Sequence, residues 1–202
     1  MFDVLIIGGG VSGMSCALVL GSAHKKPYAV DKKIGIFTHQ KTTNLQEALF
    51  NNAYGIAPGK LGTELMAESI NQLANQYPHV AQFANEKVMK IEGAYPNFTV
   101  VTNKASYQTQ TVVVAVGWIN TFAIEGLESF VEPHKKSIPE KNRIQLRNTD
   151  HKVAEGIYVA GTLSGKRSQL AIAAGSGAEV ATDILTLWND GNQSQSHDSI
   201  KK

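Results

Sequence analysis

The sequence has 202 residues, of which 43% are hydrophobic and 18% charged, and its formal net charge is +2 at pH 7. These values are typical of a globular chain of one domain, and without a block of Lys and Arg they disfavour nucleic acid as a partner. We expect no membrane span, which needs roughly 18 consecutive apolar residues, and we expect a cytoplasmic location, since the chain opens on a folding strand rather than a signal sequence.

The first thirteen residues, MFDVLIIGGGVSG, place a short apolar run directly before a glycine-rich turn. Residues 4–7 predict a buried strand, and apolar positions from Met14 to Leu20 predict a helix. A helix N-terminus attracts anions, and glycine lets a phosphate approach the backbone closely. The order strand, turn, helix favours a dinucleotide-binding turn over a purely structural one. The candidate pyrophosphate-binding residues are Gly8, Gly9, Gly10, Val11, Ser12 and Gly13.

A second apolar strand is predicted over residues 34–37, and the residue after it is expected to contact a ribose. An acidic side chain is typical there, because a carboxylate accepts hydrogen bonds from ribose hydroxyls, but this chain has Thr38. One alternative is that Thr38 hydrogen-bonds the ribose. Another is that His39 and Lys41 accommodate a 2′-phosphate, which favours NADP, and a third is that both are solvated loop residues.

The middle of the chain alternates between helical and strand patterns. After a polar-to-aromatic connection over residues 44–58, the spacing of apolar residues predicts an amphipathic helix over 60–77. Short pieces separated by turn residues then predict a small antiparallel meander with strands at 97–102 and 106–111. Residues 111–116 form a continuous apolar run, which is typical of a parallel strand buried on both faces.

We expect an irregular segment over residues 119–139, in which His134, Lys135 and Lys136 lie on the solvated surface. An edge strand is predicted over 143–147, a central strand over 156–161 and a long helix over 169–188. The polar residues 189–202 predict a disordered tail. The fold class predicted from these elements is α/β, a Rossmann-like domain with a central parallel sheet, helices and a small antiparallel meander.

Cys16 is the only cysteine, so this sequence holds neither an internal disulfide nor a Cys-x-x-Cys redox pair. Its place one turn into the first helix predicts a small buried packing residue rather than a reactive thiolate. We identify no metal site in the sequence.

Three segments, taken in order, resemble the FAD-binding domain of the thioredoxin-reductase-like class of pyridine-nucleotide/disulfide flavoprotein oxidoreductases. The first is the glycine turn. The second, TVVVAVG at residues 111–117, looks like the apolar strand of that family that ends in Ala-Thr-Gly. The third, GIYVAGT at 156–162 with the helix after it, looks like the strand that ends in Gly-Asp and its helix. The resemblance covers residues 1–188 and implies a single FAD/NAD(P)-binding domain.

The resemblance implies FAD as the cofactor, with Thr38 at the ribose, Val88 at the adenine and Gly117 near the adenosine. The other residues implied to bind the cofactor are Ala115, Val116, Gly161, Thr162, Gln169, Leu170 and Ala171 and, in a loop on the other side of the flavin ring, Asn52, Tyr54 and Gly55. For Tyr54, simple packing is an equal alternative.

The sequence departs from the family at three places. Thr38 and Thr162 stand where the family has carboxylates, and each exchange costs about 1 kcal/mol or more of binding where the hydrogen bond is not replaced. In the family, an NAD(P)H domain with the redox cysteine pair follows the strand that corresponds to residues 111–117. Here a short segment stands in its place without a second glycine fingerprint, so the disulfide chemistry does not carry over.

Three functions remain open. The leading hypothesis is an FAD-dependent oxidoreductase that receives electrons from free NAD(P)H or from a partner protein. The alternatives are a non-catalytic nucleotide-binding module or sensor with a degenerate FAD site, and a single-domain NADP-binding reductase. A homodimer is a further hypothesis, since the family is commonly dimeric and a domain without its neighbour exposes a face.

Overall fold

The computed structural model describes residues 1–39, 45–117 and 122–197. The described helices are α1 (Val11–Ser22), α2 (Gly62–Gln76) and α3 (Leu170–Trp188). The described strands are β1 (Phe2–Ile7), β2 (Ile34–Phe37), β3 (Leu49–Phe50), β4 (Lys60–Leu61), β5 (Ala81–Phe83), β6 (Val88–Ala94), β7 (Asn97–Thr102), β8 (Ser106–Val114), β9 (Val131–Pro133), β10 (Ile144–Leu146), β11 (Lys152–Ala154) and β12 (Ile157–Val159).

The central sheet has the strand order β11-β12-β8-β1-β2-β5. Its strands from β12 to β5 are parallel, and β11 joins the β12 edge in the antiparallel direction. The meander of β6 and β7 continues the sheet through antiparallel pairing of β7 with β8. This topology confirms the predicted α/β, Rossmann-like fold class with a small antiparallel meander.

Strand β1 shows why a continuous apolar run was needed at the N-terminus. Val4 and Ile6 lie in a core cluster with residues of α1 and α3, whereas Leu5 and Ile7 lie in a second cluster with residues of the meander. Successive side chains of a strand point to opposite faces, so a strand covered on both faces needs an apolar residue at every position.

Strand β8 is one strand where the sequence predicted two. The predicted meander strand at 106–111 and buried strand at 111–116 are continuous as Ser106–Val114. Its first part pairs with β7, and its second part runs between β1 and β12. The apolar run begins near Thr111 because the strand enters the two-sided core there. The strand ends at Val114, and Trp118 lies outside the described residues.

The segment predicted to be irregular over 119–139 contains β9 and a 3-10 turn at Glu128–Phe130 in its described part. Strand β10 confirms a strand within 143–147, but it pairs with β9 in a separate two-stranded sheet and not at an edge of the central sheet. The prediction missed this pairing because each of the two strands has three residues, too few to show a period.

His134 is buried, and the prediction that it lies on the solvated surface is wrong. The Lys136 N–H donates to Nδ1 of His134 at 3.1 Å, so Nε2 carries the proton and donates to the carbonyl oxygen of Thr162 at 3.0 Å. Lys135 and Lys136 are exposed, as predicted. The polar run that includes Lys135 and Lys136 predicted an exposed segment, so the sequence gave no sign that the imidazole of His134 points inward.

His151 is a second buried imidazole near the same segment, and it is 1% exposed. Its Nδ1 lies 2.8 Å from the carbonyl oxygen of Val159, and its Nε2 lies 3.1 Å from Oε2 of Glu179 on α3. The ring therefore links the end of β12 to α3. Together, His134 and His151 hold the backbone over residues 159–162 from two sides.

The first part of the tail predicted to be disordered packs against the helices. The Ser194 N–H donates to Oγ1 of Thr186 at 3.1 Å, and the Ser22 hydroxyl donates to Oγ of Ser196 at 2.8 Å. Ser194 is buried. These contacts extend to Ser196, and residues 198–202 lie outside the described residues.

Helix α3 is long and apolar enough, by length and composition alone, to cross a membrane. It packs along α1, where the Ser15 hydroxyl donates to the carbonyl oxygen of Ala174 at 2.8 Å. Val180, Ala181 and Ile184 belong to the core cluster on the same face of the sheet. These contacts are those of a core helix in an α/β domain.

Helix α1 is held very close to its neighbours by glycines. A Cβ at Gly13 would lie 1.9 Å from the carbonyl oxygen of Gly8, and a Cβ at Gly177 would lie 1.9 Å from the carbonyl oxygen of Ser12. Both distances are far below van der Waals contact. Only glycine at these two positions lets α1 pack against the turn before it and against α3.

We predict that Gly13→Ala lowers the free energy of unfolding by about 2 to 3 kcal/mol, because the added methyl group must displace backbone. The matched control is Gly175→Ala on the exposed side of α3, where a Cβ meets nothing within 4 Å. This control should gain about 0.5 to 1 kcal/mol from helix propensity. Equal urea midpoints for the two variants would contradict the close approach.

We predict that Cys16 is unreactive in the native protein. It is fully buried, and burial raises the pKa of its thiol. An aromatic disulfide reagent should leave the native thiol unmodified at mildly alkaline pH and modify one thiol per chain after denaturation. Rapid labelling of the native protein would show that the thiol is accessible.

We predict that His151→Ala lowers the free energy of unfolding by about 2 to 4 kcal/mol, because removing the buried ring leaves a cavity and deprives the buried Val159 carbonyl oxygen of its donor. The control is His197→Ala, since His197 is exposed, and it should change stability by less than about 0.5 kcal/mol. Chemical denaturation of both variants makes the comparison. If His151→Ala were as stable as this control, the His151 ring would not contribute to the stability of the contact between β12 and α3.

Candidate functional site

A cleft of about 1150 Å³ opens where the parallel strands end. Its walls include Ile7 at the end of β1, Phe37 at the end of β2 and Ala115 after β8. Open α/β sheets bind ligands at this edge. The residues predicted to bind the cofactor that line the cleft are Gly8, Gly10, Val11, Ser12, His39, Val88, Ala115, Val116, Gly117, Gly161, Thr162, Gln169 and Leu170.

The first anion-binding element of the cleft is the N-terminus of α1. Gly8 has φ +114°, and a Cβ there would lie 2.7 Å from the carbonyl oxygen of Ala115, so the turn requires glycine. Gly10 is the N-cap residue, and in the described structure α1 has neither a side-chain cap nor an acidic residue in its first turn. The first-turn N–H groups lack intrahelical partners and carry partial positive charge.

The second anion-binding element is the N-terminus of α3. Gln169 is its N-cap residue, and the described part of the chain places neither a capping side chain nor an acidic residue at its first turn. The turn that follows β12 brings this end of α3 to α1: Gly161 has φ +75°, and a Cβ there would lie 2.6 Å from Oγ of Ser12. Two helix N-termini therefore face one cleft.

Three predicted residues lie behind the wall of the cleft rather than on it. Gly9 and Gly13 are buried, and a Cβ at Gly9 would lie 2.9 Å from Cα of Thr38. Thr38 thus backs the glycine turn, and its N–H donates to the carbonyl oxygen of Phe83 at 3.1 Å. The structure places Thr38 beside the turn but not among the lining residues.

The residues predicted to cover the other side of the flavin ring are not among the lining residues of the cleft. Asn52, Tyr54 and Gly55 are exposed and do not line it. Tyr54 is fully exposed, so it is not a packing residue either. Ala171 is exposed in the first turn of α3 and does not line the cleft, and Lys41 lies outside the described residues.

Several lining residues were missed by the sequence analysis. Glu86, Lys87, Phe122 and Arg143 all line the cleft. Glu86 is 6% exposed and accepts a hydrogen bond from the Thr102 hydroxyl at 2.6 Å. The sequence carried one usable signal for Glu86, an acidic residue shortly after a strand of the sheet. That strand, β5, has three residues and gave no clear pattern.

The cleft fits a dinucleotide. It is large enough for one, the lining glycines at 8 and 161 let the backbone segments around it approach closely, and the two helix ends favour negative charge. Across residues 1–39, 45–117 and 122–197, no group of three or more His, Cys, Asp or Glu side chains could hold a metal ion.

Comparisons with known proteins agree with this geometry. The sequence matches the pyridine nucleotide-disulphide oxidoreductase family over residues 2–178. A search of curated proteins found no match. A thioredoxin reductase from Gloeobacter violaceus has a similar fold, with a TM-score of 0.73, 14% sequence identity, and coverage of 98% of this chain and 99% of that chain.

Two further solved structures have the same fold. An oxidoreductase from Agrobacterium tumefaciens aligns with a TM-score of 0.69 and 14% identity, covering 92% of this chain and 98% of that chain. A ferredoxin-flavin thioredoxin reductase from Clostridium acetobutylicum aligns with a TM-score of 0.68 and 16% identity, covering 94% of this chain and 98% of that chain. At these identities the likeness shows the fold alone.

The family match and the shared fold confirm the resemblance found in the sequence. The match extends over most of the chain, from β1 into α3. The sequence nevertheless contains one cysteine and has only residues 115–156 between β8 and β12. This chain therefore belongs to the pyridine nucleotide-disulphide oxidoreductase family, with a thioredoxin-reductase-like fold and without that family's redox cysteine pair.

Proposed function

We propose that the protein is an FAD-binding oxidoreductase that works without disulfide chemistry. The observation that carries the proposal is the pair of uncapped helix N-termini that face one cleft across the glycine turns at Gly8 and Gly161. When bound, FAD supplies the chemistry of electron transfer, whereas the protein supplies binding, orientation and electrostatics.

The N-termini of α1 and α3 have different roles at the two ends of the cleft. The first-turn N–H groups of α1 bind the pyrophosphate, which Gly8 allows to approach the backbone. At the other end, the partial positive charge of the α3 N-terminus favours negative charge on the flavin ring. The Nε2–H of His134 donates a hydrogen bond to the Thr162 carbonyl oxygen, which fixes the turn between β12 and α3.

The electrons must come from outside this chain. Cys16 is the single cysteine and is buried, so no thiol pair is present to exchange electrons with a flavin. We therefore propose free NAD(P)H or a partner protein as the donor. One fold neighbour is named a ferredoxin-flavin thioredoxin reductase, and this name supports a partner protein as the electron donor.

A non-catalytic nucleotide-binding module is the second candidate. Thr38 and Thr162 provide neutral hydroxyls at positions where the family has carboxylates, and this weakens the hold on FAD. An NADP-binding reductase is the third candidate, because His39 is half-buried and lines the cleft.

We predict that the purified protein, incubated with FAD and freed of unbound ligand, retains an absorbance band near about 450 nm and oxidises NADH or NADPH with a quinone or dye acceptor. Gly161→Val should abolish the absorbance band, because the added valine side chain would collide with Ser12. Gly175→Ala should retain the band, because a Cβ there meets nothing within 4 Å. Circular dichroism checks that both variants fold.

The other outcomes separate the candidates. A band without turnover favours the non-catalytic module, and binding of NADP without any affinity for flavin favours the NADP-binding reductase. A wild-type protein that takes up no flavin contradicts the proposed function.

We predict that Thr162→Asp tightens FAD binding by roughly tenfold, because it restores a charged acceptor in the cleft. Thr162→Asn is the matched control, since it has nearly the same shape without the charge, and it should leave the affinity within about twofold of the wild type. Fluorescence titration with FAD measures both. Equal affinities for the two variants would show that a carboxylate at this position does not contact the ligand.

A further inference from the structure

Glu86 is a buried acid in the wall of the cleft. It is 6% exposed, and it lies beside Val88, the residue implied to contact adenine, in the lining of the cleft. A carboxyl group removed from water is costly unless hydrogen-bond donors surround it. The described structure supplies protein donors from the meander on one side, and the cleft lies on the other.

The position of Glu86 follows from the pairing of β2 with β5. Phe37 is paired with Phe83 in the parallel register, and the Thr38 N–H donates to the Phe83 carbonyl at 3.1 Å. The carboxyl ends of the two strands therefore meet at the same edge of the sheet. Thr38, which stands where the family has an acid, follows β2, and Glu86 follows β5 shortly after Phe83.

The neighbours of Glu86 leave acceptor capacity on its carboxylate. The Thr102 hydroxyl donates to Oε1 of Glu86 at 2.6 Å. The Tyr107 phenol is a second hydrogen-bonding neighbour. Burial, and then the hydrogen bond to Glu86, raise the pKa of Tyr107. A carboxylate offers about four lone-pair positions, so these two hydroxyls do not exhaust it.

A purely structural role for Glu86 is not needed to hold the neighbouring turn. The N–H groups of Lys104 and Ala105 donate to Oγ1 of Thr102 at 3.1 and 2.9 Å, and the Thr102 N–H donates to the Ala105 carbonyl at 2.8 Å. The turn after β7 closes through these bonds. Glu86 joins this network only by accepting the hydroxyl hydrogen of Thr102.

We propose that Glu86 is the acidic acceptor for the adenosine half of the ligand, in place of the carboxylate that is missing at Thr38. The proposal rests on the proposed function. The carboxylate receives hydrogen bonds from a donor of that half, either a ribose hydroxyl or the exocyclic amine of adenine. Its negative charge also disfavours a 2′-phosphate, so the site selects FAD or ADP over NADP.

The test is calorimetric titration of the wild type and of Glu86→Gln with ADP, FAD and FMN, the last of which lacks adenosine. We expect Glu86→Gln to weaken ADP and FAD binding by roughly tenfold and to leave FMN binding unchanged. Glu47→Gln is the matched control, since Glu47 is an exposed carboxylate that also lines the cleft. This control should bind ADP within about twofold of the wild type.

Two analogues identify the donor on the unmodified protein, which keeps the test valid if the Glu86 variant fails to fold. Weaker binding of 2′,3′-dideoxy-ADP than of ADP identifies a ribose hydroxyl, and weaker binding of inosine diphosphate identifies the adenine amine. The proposal is overturned if both analogues bind as tightly as ADP, or if Glu86→Gln binds ADP as tightly as the wild type. ADP binding without flavin binding would overturn the proposed function and leave the role of Glu86 standing.

Discussion

The structure depends on one close approach, that of α1 to the turn before it and to α3. Gly13 and Gly177 remove the two side chains that would keep these backbones apart. Since α1 follows the central strand β1 directly, this packing fixes where its N-terminus lies relative to the ends of the parallel strands. The cleft, its glycine floor and its positive end all follow from that position.

A second set of contacts places α3 at the same cleft. His134 holds the Thr162 carbonyl, and His151 joins the end of β12 to Glu179 on α3. Neither histidine is among the lining residues, so both fix the turn between β12 and α3 without occupying the cleft. The result is a cleft to which two helix N-termini present their first-turn backbone N–H groups.

The features that the sequence revealed are those set by local pattern. The apolar run of β1 indicates a strand buried on both faces, and the glycines indicate a tight turn. The period of apolar residues in α3 indicates a helix. The direction of His134 and of Glu86 depends on tertiary packing. The lysines beside His134 gave no sign of it, and the three-residue strand before Glu86 was too short to be recognised. The continuity of β8 was hidden because the strand changes partners along its length, and the exposure of Tyr54 depends on how its loop folds.

A crystal structure of the protein grown with FAD tests the central claim most directly. The account predicts the pyrophosphate within about 3 Å of the first-turn N–H groups of α1, the flavin ring against the N-terminus of α3, and the adenosine half beside Glu86. FAD bound elsewhere on the surface, or a cleft that remains empty at saturating FAD, would contradict the account.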